Sequence, residues 1–301
     1  KTAYEIKECD WSSDVCSSDL RAARRPNGRA DTGAMSGQVT SGAVPDPSRT
    51  LSVTRIVDRF WYWQAINPDT PEAGWPNGSG PVVGSVFLEV DDGIVLIDPQ
   101  VPPNAPNRDR FWAALDRDMA RHDGQWLAIL LTFPGHDRST HEIVSRYGAV
   151  VTTSIWIPSG TASWSPIGHT HVYHRETTLP GGIVPILFDF PGGYPDGEGA
   201  FFIPGHRALV LGDIVVGRES GDPHGPGLRL PPESTYIGED DASRSAVRAW
   251  FGTTLLESLV DVQSRLDPQT ILVTHGEPMI GTGGAAMSEL LAALRGYRMG
   301  P

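Results

Sequence analysis

The sequence predicts a mixed α/β protein in which two β-sheets lie between layers of helices, a four-layer αββα sandwich. One observation is that Trp126–Thr132 and Thr270–Thr274 are continuous apolar runs, which is typical of strands buried on both faces. Another is the order of elements, because strand hairpins are followed by a β-α-β unit, and this order occurs twice. The 34 glycines and 26 prolines also fit a loop-rich α/β protein better than a helical bundle.

The first half of the predicted domain begins with strands. Leu51–Trp63 alternates apolar and polar residues over enough length for one strand or two. Val82–Val90 and Ile94–Pro99 flank Asp91-Asp92-Gly93, and an Asp-Gly turn between two β-rich runs predicts a hairpin. Apolar residues at helical spacing then predict a helix over Phe111–His122, ahead of the buried strand Trp126–Thr132.

The rest of the chain continues this alternation of strands and helices. We predict helices over Ile143–Tyr147, Ala242–Leu266 and Ala285–Tyr297. The predicted strands are Ala149–Ile155, Ile183–Phe190, Ala200–Ile203, Ala208–Leu211 and Thr270–Thr274, while Pro158–Pro180 is expected to be irregular. No linker interrupts the chain after residue 50, so residues 51–301 are predicted to form one domain.

The first fifty residues differ from the rest of the sequence. Both lysines and both cysteines lie within residues 1–20, whereas residues 21–301 contain arginine as their only strongly basic residue. Asp10–Leu20 resembles a translated sequencing adapter, so residues 1–20 are left out of the fold prediction. Residues 21–50 are rich in Arg, Gly, Ser and Pro without hydrophobic periodicity and are predicted to be a disordered lead-in.

Charge and hydropathy restrict the classes of partner. The net charge of −12 and the lack of a basic run argue against nucleic acid or an anionic membrane as the main partner. No stretch approaches the roughly 18 uninterrupted apolar residues of a membrane span. We therefore expect a cytoplasmic protein whose partner is a small-molecule ligand or substrate.

Four segments occur in the order of landmarks that define a known family. They are the strand ends Val95-Leu96-Ile97-Asp98, Ala208–Asp213 and Ile271–Gly276, and the loop Phe133-Pro134-Gly135-His136-Asp137-Arg138-Ser139 after a buried strand. In this order they resemble the metallo-β-lactamase superfamily, in which the loop reads His-x-His-x-Asp-His. The resemblance covers roughly residues 51–298. It implies the αββα sandwich and a dinuclear metal centre at the ends of the strands.

The same resemblance indicates that much of this centre has been lost. Phe133, Gly135 and Gly193 stand where the family has the three histidines of its first metal site. Side chains of Phe and Gly offer no metal-binding atom, so dinuclear zinc is not expected. The second site keeps Asp137, Asp213 and His275 as candidate ligands or catalytic residues, with Arg138 at its fourth position.

Arg138 leaves two interpretations of the second site open. Its permanent positive charge repels a divalent ion by roughly 8 kcal/mol at 4 Å and an effective dielectric constant near 20. Arg138 is therefore expected to replace the metal by pairing with Asp137 or Asp213. The other interpretation is one retained divalent ion, of zinc, manganese or iron, bound by Asp137, Asp213 and His275.

Other histidines and several tryptophans are weaker candidates. An ungapped comparison with the family motif directs His136 away from the site, so His136 and His141 are expected to be supporting or surface residues. His169, His171 and His174 form a cluster that is expected to be structural, and His206 is expected to be exposed in a hairpin turn. Five tryptophans lie on segments that border the family's cleft and point to an apolar or planar ligand: Trp61, Trp63, Trp75, Trp156 and Trp164.

Three functions follow from these residues. The first is hydrolysis of an ester, lactone or amide-like bond by water activated at a single ion. The second is non-catalytic ligand binding in the same cleft, with Arg138 as an anchor for an anion. The third is metal-independent chemistry with His275 as general base and Asp213 as the group that orients it.

Overall fold

A computed structural model describes residues 51–70, 74–75, 78, 80–121, 126–165, 167–168, 170–191, 194–232, 235 and 241–298. The segments predicted to be an adapter remnant and a disordered lead-in, residues 1–20 and 21–50, lie outside the described residues. Within the described part of the chain, no helix is long and apolar enough to cross a membrane.

The larger sheet contains seven strands in sequential order. They are β1 (Leu51–Val57), β2 (Phe60–Ile66), β3 (Val82–Val90), β4 (Gly93–Ile97), β5 (Trp126–Leu130), β6 (Thr152–Pro158) and β7 (His171–Tyr173). Strands β1 to β4 pair antiparallel, and β4 to β7 pair parallel. The predicted hairpin is confirmed as β3 and β4, whose register pairs Val90 with Gly93.

The smaller sheet contains four strands of the second half. They are β8 (Val184–Phe190), β9 (Tyr194–Ile203), β10 (Ala208–Leu211) and β13 (Thr270–Val273), in the spatial order β13-β10-β9-β8. Strand β10 pairs antiparallel with β9 and parallel with β13. A separate two-stranded ribbon joins β11 (Val216–Gly217) to β12 (Leu228–Arg229).

Helices cover the outer face of each sheet. Helices α1 (Ala105–Ala120) and α2 (Thr140–Tyr147) belong to the first half, and α3 (Asp241–Trp250), α4 (Leu256–Leu266) and α5 (Gly283–Arg298) to the second. Helix α1 begins where the Asn104 side chain accepts a hydrogen bond from the backbone N–H of Asn107, an N-cap that satisfies one free donor. Its apolar face buries Phe111, Trp112, Leu115 and Met119, the helical spacing seen in the sequence.

Three apolar clusters separate the four layers. Alternate residues of each strand enter different clusters because successive side chains of a strand point to opposite faces. Leu127 and Ile129 of β5 pack under α1 and α2. Ala128 and Leu130 face the other sheet, where they lie in one cluster with Val210 of β10. Leu209 and Leu211 pack instead beneath α3, α4 and α5. The predicted αββα sandwich is therefore confirmed.

The two sheets meet along β3 and β13, and this seam supports the site described next. Gly84 donates a backbone hydrogen bond to the carbonyl of Thr274 (2.9 Å), and Val83 forms an isolated bridge with His275. A Cβ atom at Gly84 would clash with the Tyr62 hydroxyl and the Val273 carbonyl. Tyr62 also donates its hydroxyl to the Val273 carbonyl at 3.0 Å. Close approach of the two sheets therefore depends on a glycine at position 84.

Candidate metal centre

Polar side chains gather where four parallel strands end. Asp98 follows β4, Thr132 follows β5, Asp213 follows β10 and His275 follows β13. Carboxyl ends of neighbouring parallel strands lie at one edge of a sheet, the usual place for a ligand site in α/β proteins. Because the two sheets pack face to face, the two pairs of strand ends face each other across the seam.

Three of these side chains form a group that can hold a metal ion. One potential ligand atom each of His136, Asp213 and His275 lies within 4.8 Å of the others. Asp213 Oδ1 is 3.4 Å from His136 Nε2 and 3.1 Å from His275 Nε2. The Thr274 hydroxyl also donates to Asp213 Oδ1 at 3.4 Å. Two imidazoles and one carboxylate are a donor set that zinc and non-haem iron both accept.

His136 is held from behind by a buried carboxylate. Its Nδ1 lies 3.1 Å from Asp98 Oδ2 and 2.9 Å from the Thr132 hydroxyl. Asp98 in turn accepts hydrogen bonds from the Thr132 hydroxyl (2.5 Å) and backbone N–H (2.9 Å). A carboxylate on the outer nitrogen is the usual support of a metal-binding histidine, because it fixes the tautomer and the orientation of the ring. This contact makes the group fit a metal ion.

Protonation of the three groups follows from their mutual contacts. Burial by itself lowers the pKa of His136, but the charges of Asp213 and Asp98 outweigh it and raise this pKa to about 9. Burial lowers the pKa of His275. Burial would raise the pKa of Asp213, yet the imidazoles of His275 and His136 hold it well below its usual range. Near pH 7 the metal-free group is thus a carboxylate beside one imidazolium and one neutral imidazole.

His275 lacks the support that His136 has. Its ring is 2% exposed, and its Nδ1 is buried without a hydrogen-bond partner among the described residues. The ring contacts Trp75 edge to face, with ring centroids 5.7 Å apart. The ring of His275 is therefore held by Asp213 at Nε2 and by packing against Trp75.

The contacts of Arg138 differ from those expected. Nη1 donates to the backbone carbonyls of Gly84 (2.9 Å) and Asp98 (3.0 Å), and Nη2 is buried without a partner. The expected ion pair with Asp137 or Asp213 is not among the contacts of the described residues. Arg138 has a positive φ (35°), and its guanidinium joins the backbone of β3 at Gly84 to the residue that follows β4.

The sequence suggested Asp137 as a ligand and His136 as a supporting residue, but the structure places His136 in the group instead of Asp137. Asp137 is outside the three-residue group, and its Oδ1 accepts a hydrogen bond from the backbone N–H of Arg138 at 3.0 Å. His136, expected to be directed elsewhere, is 6% exposed and faces Asp213. The cause is local, since Pro134–His136 forms a 3₁₀ turn that brings the last residue of the turn to the strand ends. The Pro134-Gly135 pair favours a turn, but it does not indicate which side chain of the loop faces the strand ends.

The residues at the family's first metal site do not supply ligands. Phe133 is half-buried and packs against His136 and Phe190, with centroid distances of 6.0 and 6.2 Å. Gly135 is exposed, and Gly193 lies outside the described residues. An aromatic pair therefore occupies the space beside His136.

The remaining histidines that the structure describes are not part of the three-residue group. His141 and His174 are exposed, and His171 stacks on Trp156 at a centroid distance of 4.7 Å. His169 lies outside the described residues. His206, expected to be exposed, is half-buried because it stacks on Phe60 at 4.9 Å in the turn between β9 and β10.

The tryptophans divide between the core and the site. Trp61 and Trp63 are buried under α1, so they do not line a cleft. Trp156 is half-buried beside His171, and the side chain of Trp164 lies outside the described part of the structure. Among the described tryptophans, Trp75 contacts the three-residue group, through the ring of His275.

One buried acid near the group had no signal in the sequence. Glu198 of β9 is 2% exposed, and its Oε1 accepts the backbone N–H of Ile214 at 2.9 Å. Burial and the charge of Asp213 raise the pKa of Glu198 well above its ordinary value. A Cβ atom at Gly212 would clash with Glu198 and crowd Thr132. Glu198 therefore holds the backbone directly after Asp213, and its carboxylate packs against Gly212 directly before it.

Comparison with solved structures identifies the fold. The metallo-β-lactamase FIM-1 from Pseudomonas aeruginosa, solved in its mono-zinc form, is similar with a TM-score of 0.50 and 17% identity over 84% of this chain and 97% of its own. A metallo-β-lactamase from Pontibacter korlensis has a TM-score of 0.50 and 18% identity, over 81% of this chain and 99% of its own. A metallo-β-lactamase from Hirschia baltica has a TM-score of 0.50 and 12% identity, over 83% of this chain and 98% of its own. No protein-family model and no curated protein sequence matches the chain. At these identities the likeness concerns the fold, and the chain has the metallo-β-lactamase fold.

Proposed function

We propose that the protein binds one divalent metal ion through His136, Asp213 and His275 and hydrolyses an ester, lactone or amide-like bond of a small molecule. The observation that carries this proposal is the convergence of three ligand atoms within 4.8 Å. The Asp98 carboxylate behind His136 supports it. Zinc, manganese and iron are the candidate ions, because all three accept nitrogen and carboxylate ligands.

The protein's own residues would prepare the site for that ion. A divalent ion with three protein ligands and an open position acts as a Lewis acid and lowers the pKa of the water that it binds. Asp98 and Thr132 keep His136 Nδ1 occupied, so that Nε2 is the nitrogen available to the ion. Glu198 and Thr274 hold Asp213 in place from its backbone and its carboxylate.

A single ion fits this site better than two. His136, Asp213 and His275 are the one group of three or more potential ligands found among the described residues. Phe133 and Gly135 contribute no ligand atom next to it. Arg138 adds a fixed positive charge beneath the group, which further disfavours a second divalent ion.

The two metal-free alternatives have less support. An anion anchored by Arg138 would need an accessible guanidinium, but Nη1 is bonded to two carbonyls and Nη2 is buried. A general base at His275 would need a ring nitrogen that faces the substrate. Nε2 of His275 faces Asp213, and Nδ1 is buried. A location in the cytoplasm and the lack of a nucleic-acid or membrane partner stay predictions from the charge of the chain.

Two matched variants test the proposal. We expect protein supplied with one equivalent of zinc or manganese to hydrolyse a chromogenic ester, and a strong chelator to abolish the activity until metal is restored. His136→Ala should lower metal affinity and kcat/KM about 100-fold, because it removes a ligand. Asp137→Asn should change both less than about threefold, because the amide oxygen can still accept the Arg138 N–H.

Two results would contradict different parts of the proposal. Activity that survives complete removal of metal would exclude the metal-dependent reaction. A loss in Asp137→Asn as large as that in His136→Ala would return Asp137 to the ligand position that the sequence suggested.

A further inference from the structure

Strands β9 and β10 stop pairing just before Asp213. The last pair of their ladder is Ala200 with Leu211, and the same register continued by two residues would place Glu198 opposite Asp213. Strand β9 includes Glu198, whereas β10 ends at Leu211. The ladder between β9 and β10 therefore does not set the position of Asp213, and contacts of another kind have to hold this ligand in place.

The side chain of Glu198 connects β9 to this part of the chain where the ladder does not. Glu198 is buried, and its Oε1 accepts a hydrogen bond from the backbone N–H of Ile214 at 2.9 Å. This N–H belongs to the peptide group that joins Asp213 to Ile214. Because a peptide group is planar, a hydrogen bond to its N–H also restricts the orientation of the Asp213 carbonyl. Glu198 thus acts on the backbone from which the Asp213 carboxylate projects.

Glu198 also lies beside Thr132, the residue whose hydroxyl contacts His136. Gly199, the next residue of β9, donates its backbone N–H to the Thr132 carbonyl at 2.7 Å. A Cβ atom at Gly212 would clash with Glu198 Oε1 and would lie 2.8 Å from the Thr132 hydroxyl oxygen. That hydroxyl is in turn 2.9 Å from His136 Nδ1. Glu198, Gly212 and Thr132 therefore form a junction that joins the end of β10 to the residue behind His136.

From this junction we infer that Glu198 is a positioning residue that sets the place of Asp213 relative to His136. The inference rests on the proposed function, in which both residues bind the metal ion, and it adds a residue outside the three-residue group. A metal ion requires its ligand atoms at defined distances, so a displaced carboxylate weakens binding and changes the geometry around the ion. Glu198 therefore acts on the ion through the backbone of Asp213.

Cobalt(II) binding to the full chain tests the inference, because the visible absorption of bound cobalt(II) depends on the arrangement of its ligands. Glu198→Leu removes the acceptor and keeps a side chain of similar size. We expect this variant to bind cobalt(II) about 10- to 100-fold more weakly and with a changed absorption spectrum. Glu198→Gln keeps an oxygen that can accept the Ile214 N–H, so it should change the affinity less than about threefold.

Leu115→Ala is the control that separates positioning from general stability. Leu115 is buried on α1 and packs in the apolar cluster between α1 and the larger sheet, which includes no residue of the junction. Its truncation leaves a cavity and lowers the free energy of unfolding. We expect urea unfolding to show this loss, while the affinity for cobalt(II) and the absorption spectrum stay as in the unmodified protein.

A second variant disturbs the junction from β10 and decides the matter even if Glu198→Leu does not fold. Gly212→Ala places a methyl group against the Glu198 carboxylate, so it should weaken cobalt(II) binding about tenfold. Gly205→Ala is its matched control, because no atom lies within 4 Å of the added Cβ atom, and it should leave cobalt(II) binding unchanged.

Three results would overturn the inference. If Glu198→Leu or Gly212→Ala loses stability, as Leu115→Ala does, but binds cobalt(II) with unchanged affinity and spectrum, Glu198 supports the fold alone. Equal losses of affinity in Glu198→Gln and Glu198→Leu would show that the acceptor at Oε1 does not position Asp213. If the unmodified protein binds no cobalt(II), the proposed metal site itself fails, and the inference fails with it.

Discussion

At the scale of single residues, the centre depends on a shift of one position. The family motif aligned without gaps selects Asp137, whereas the structure brings His136 to Asp213. Asp213 and His275 could be predicted from the sequence because each lies two residues after the end of a buried apolar strand. The position of His136 could not, because it depends on the 3₁₀ turn over Pro134–His136. Glu198 could not be predicted either, since a single Glu in a strand gives no sign of a buried partner on another segment.

The raised pKa of His136 predicts that metal binding releases a proton. Asp213 and Asp98 raise this pKa to about 9, so His136 is protonated near pH 7 and must lose that proton to bind an ion. We expect about one proton released per ion at pH 7, and an affinity that rises with pH until about 9. Calorimetric titrations in two buffers with different ionisation enthalpies measure this release. Binding at pH 7 without proton release would contradict the assignment of His136.

The same pKa has a consequence for the stability of the metal-free protein. The pKa of His136 is higher in the folded chain than its ordinary value of 6.5. Its contribution to the free energy of unfolding is therefore fully present below about pH 6.5 and is lost as the pH rises through about 9.

At the scale of elements, long and strongly patterned segments were predictable and short ones were not. The β3–β4 hairpin has an Asp-Gly turn between β-rich runs, and α1 has a clear apolar face. Strand β7 has only three residues and pairs with β6 through tertiary structure, so the sequence suggested an irregular segment there. The predicted strand Ala149–Ile155 is displaced, since β6 spans Thr152–Pro158. The predicted helix Ala242–Leu266 is divided by a π-helical turn over Phe251–Leu255.

The seam between β3 and β13 gives a prediction at this scale. Gly84→Ala should lower the free energy of unfolding by about 1–3 kcal/mol, because the added methyl group clashes with the Tyr62 hydroxyl and the Val273 carbonyl. Gly205→Ala, where no atom lies within 4 Å of the added Cβ, should change it by less than about 0.5 kcal/mol. Urea unfolding of both variants measures the difference, and equal effects would show that the seam tolerates a side chain.

At the scale of the whole molecule, the fold and the chemistry have separate origins. The three apolar clusters that separate the layers involve residues outside the metal centre, so the αββα sandwich can persist while ligand positions change. This explains why four landmarks in the sequence were sufficient to predict the fold. The candidate ligand set depends on loops at the strand ends, where one turn places His136 rather than Asp137 beside Asp213.

The most direct test of this account is the number of metal ions bound per folded chain. Native mass spectrometry of chelator-treated protein titrated with zinc counts them, with His136→Ala as the control variant. We predict one ion per chain in the unmodified protein, and no ion in His136→Ala at the same free zinc concentration. Two ions per chain, no ion, or one ion bound equally well by His136→Ala would contradict it.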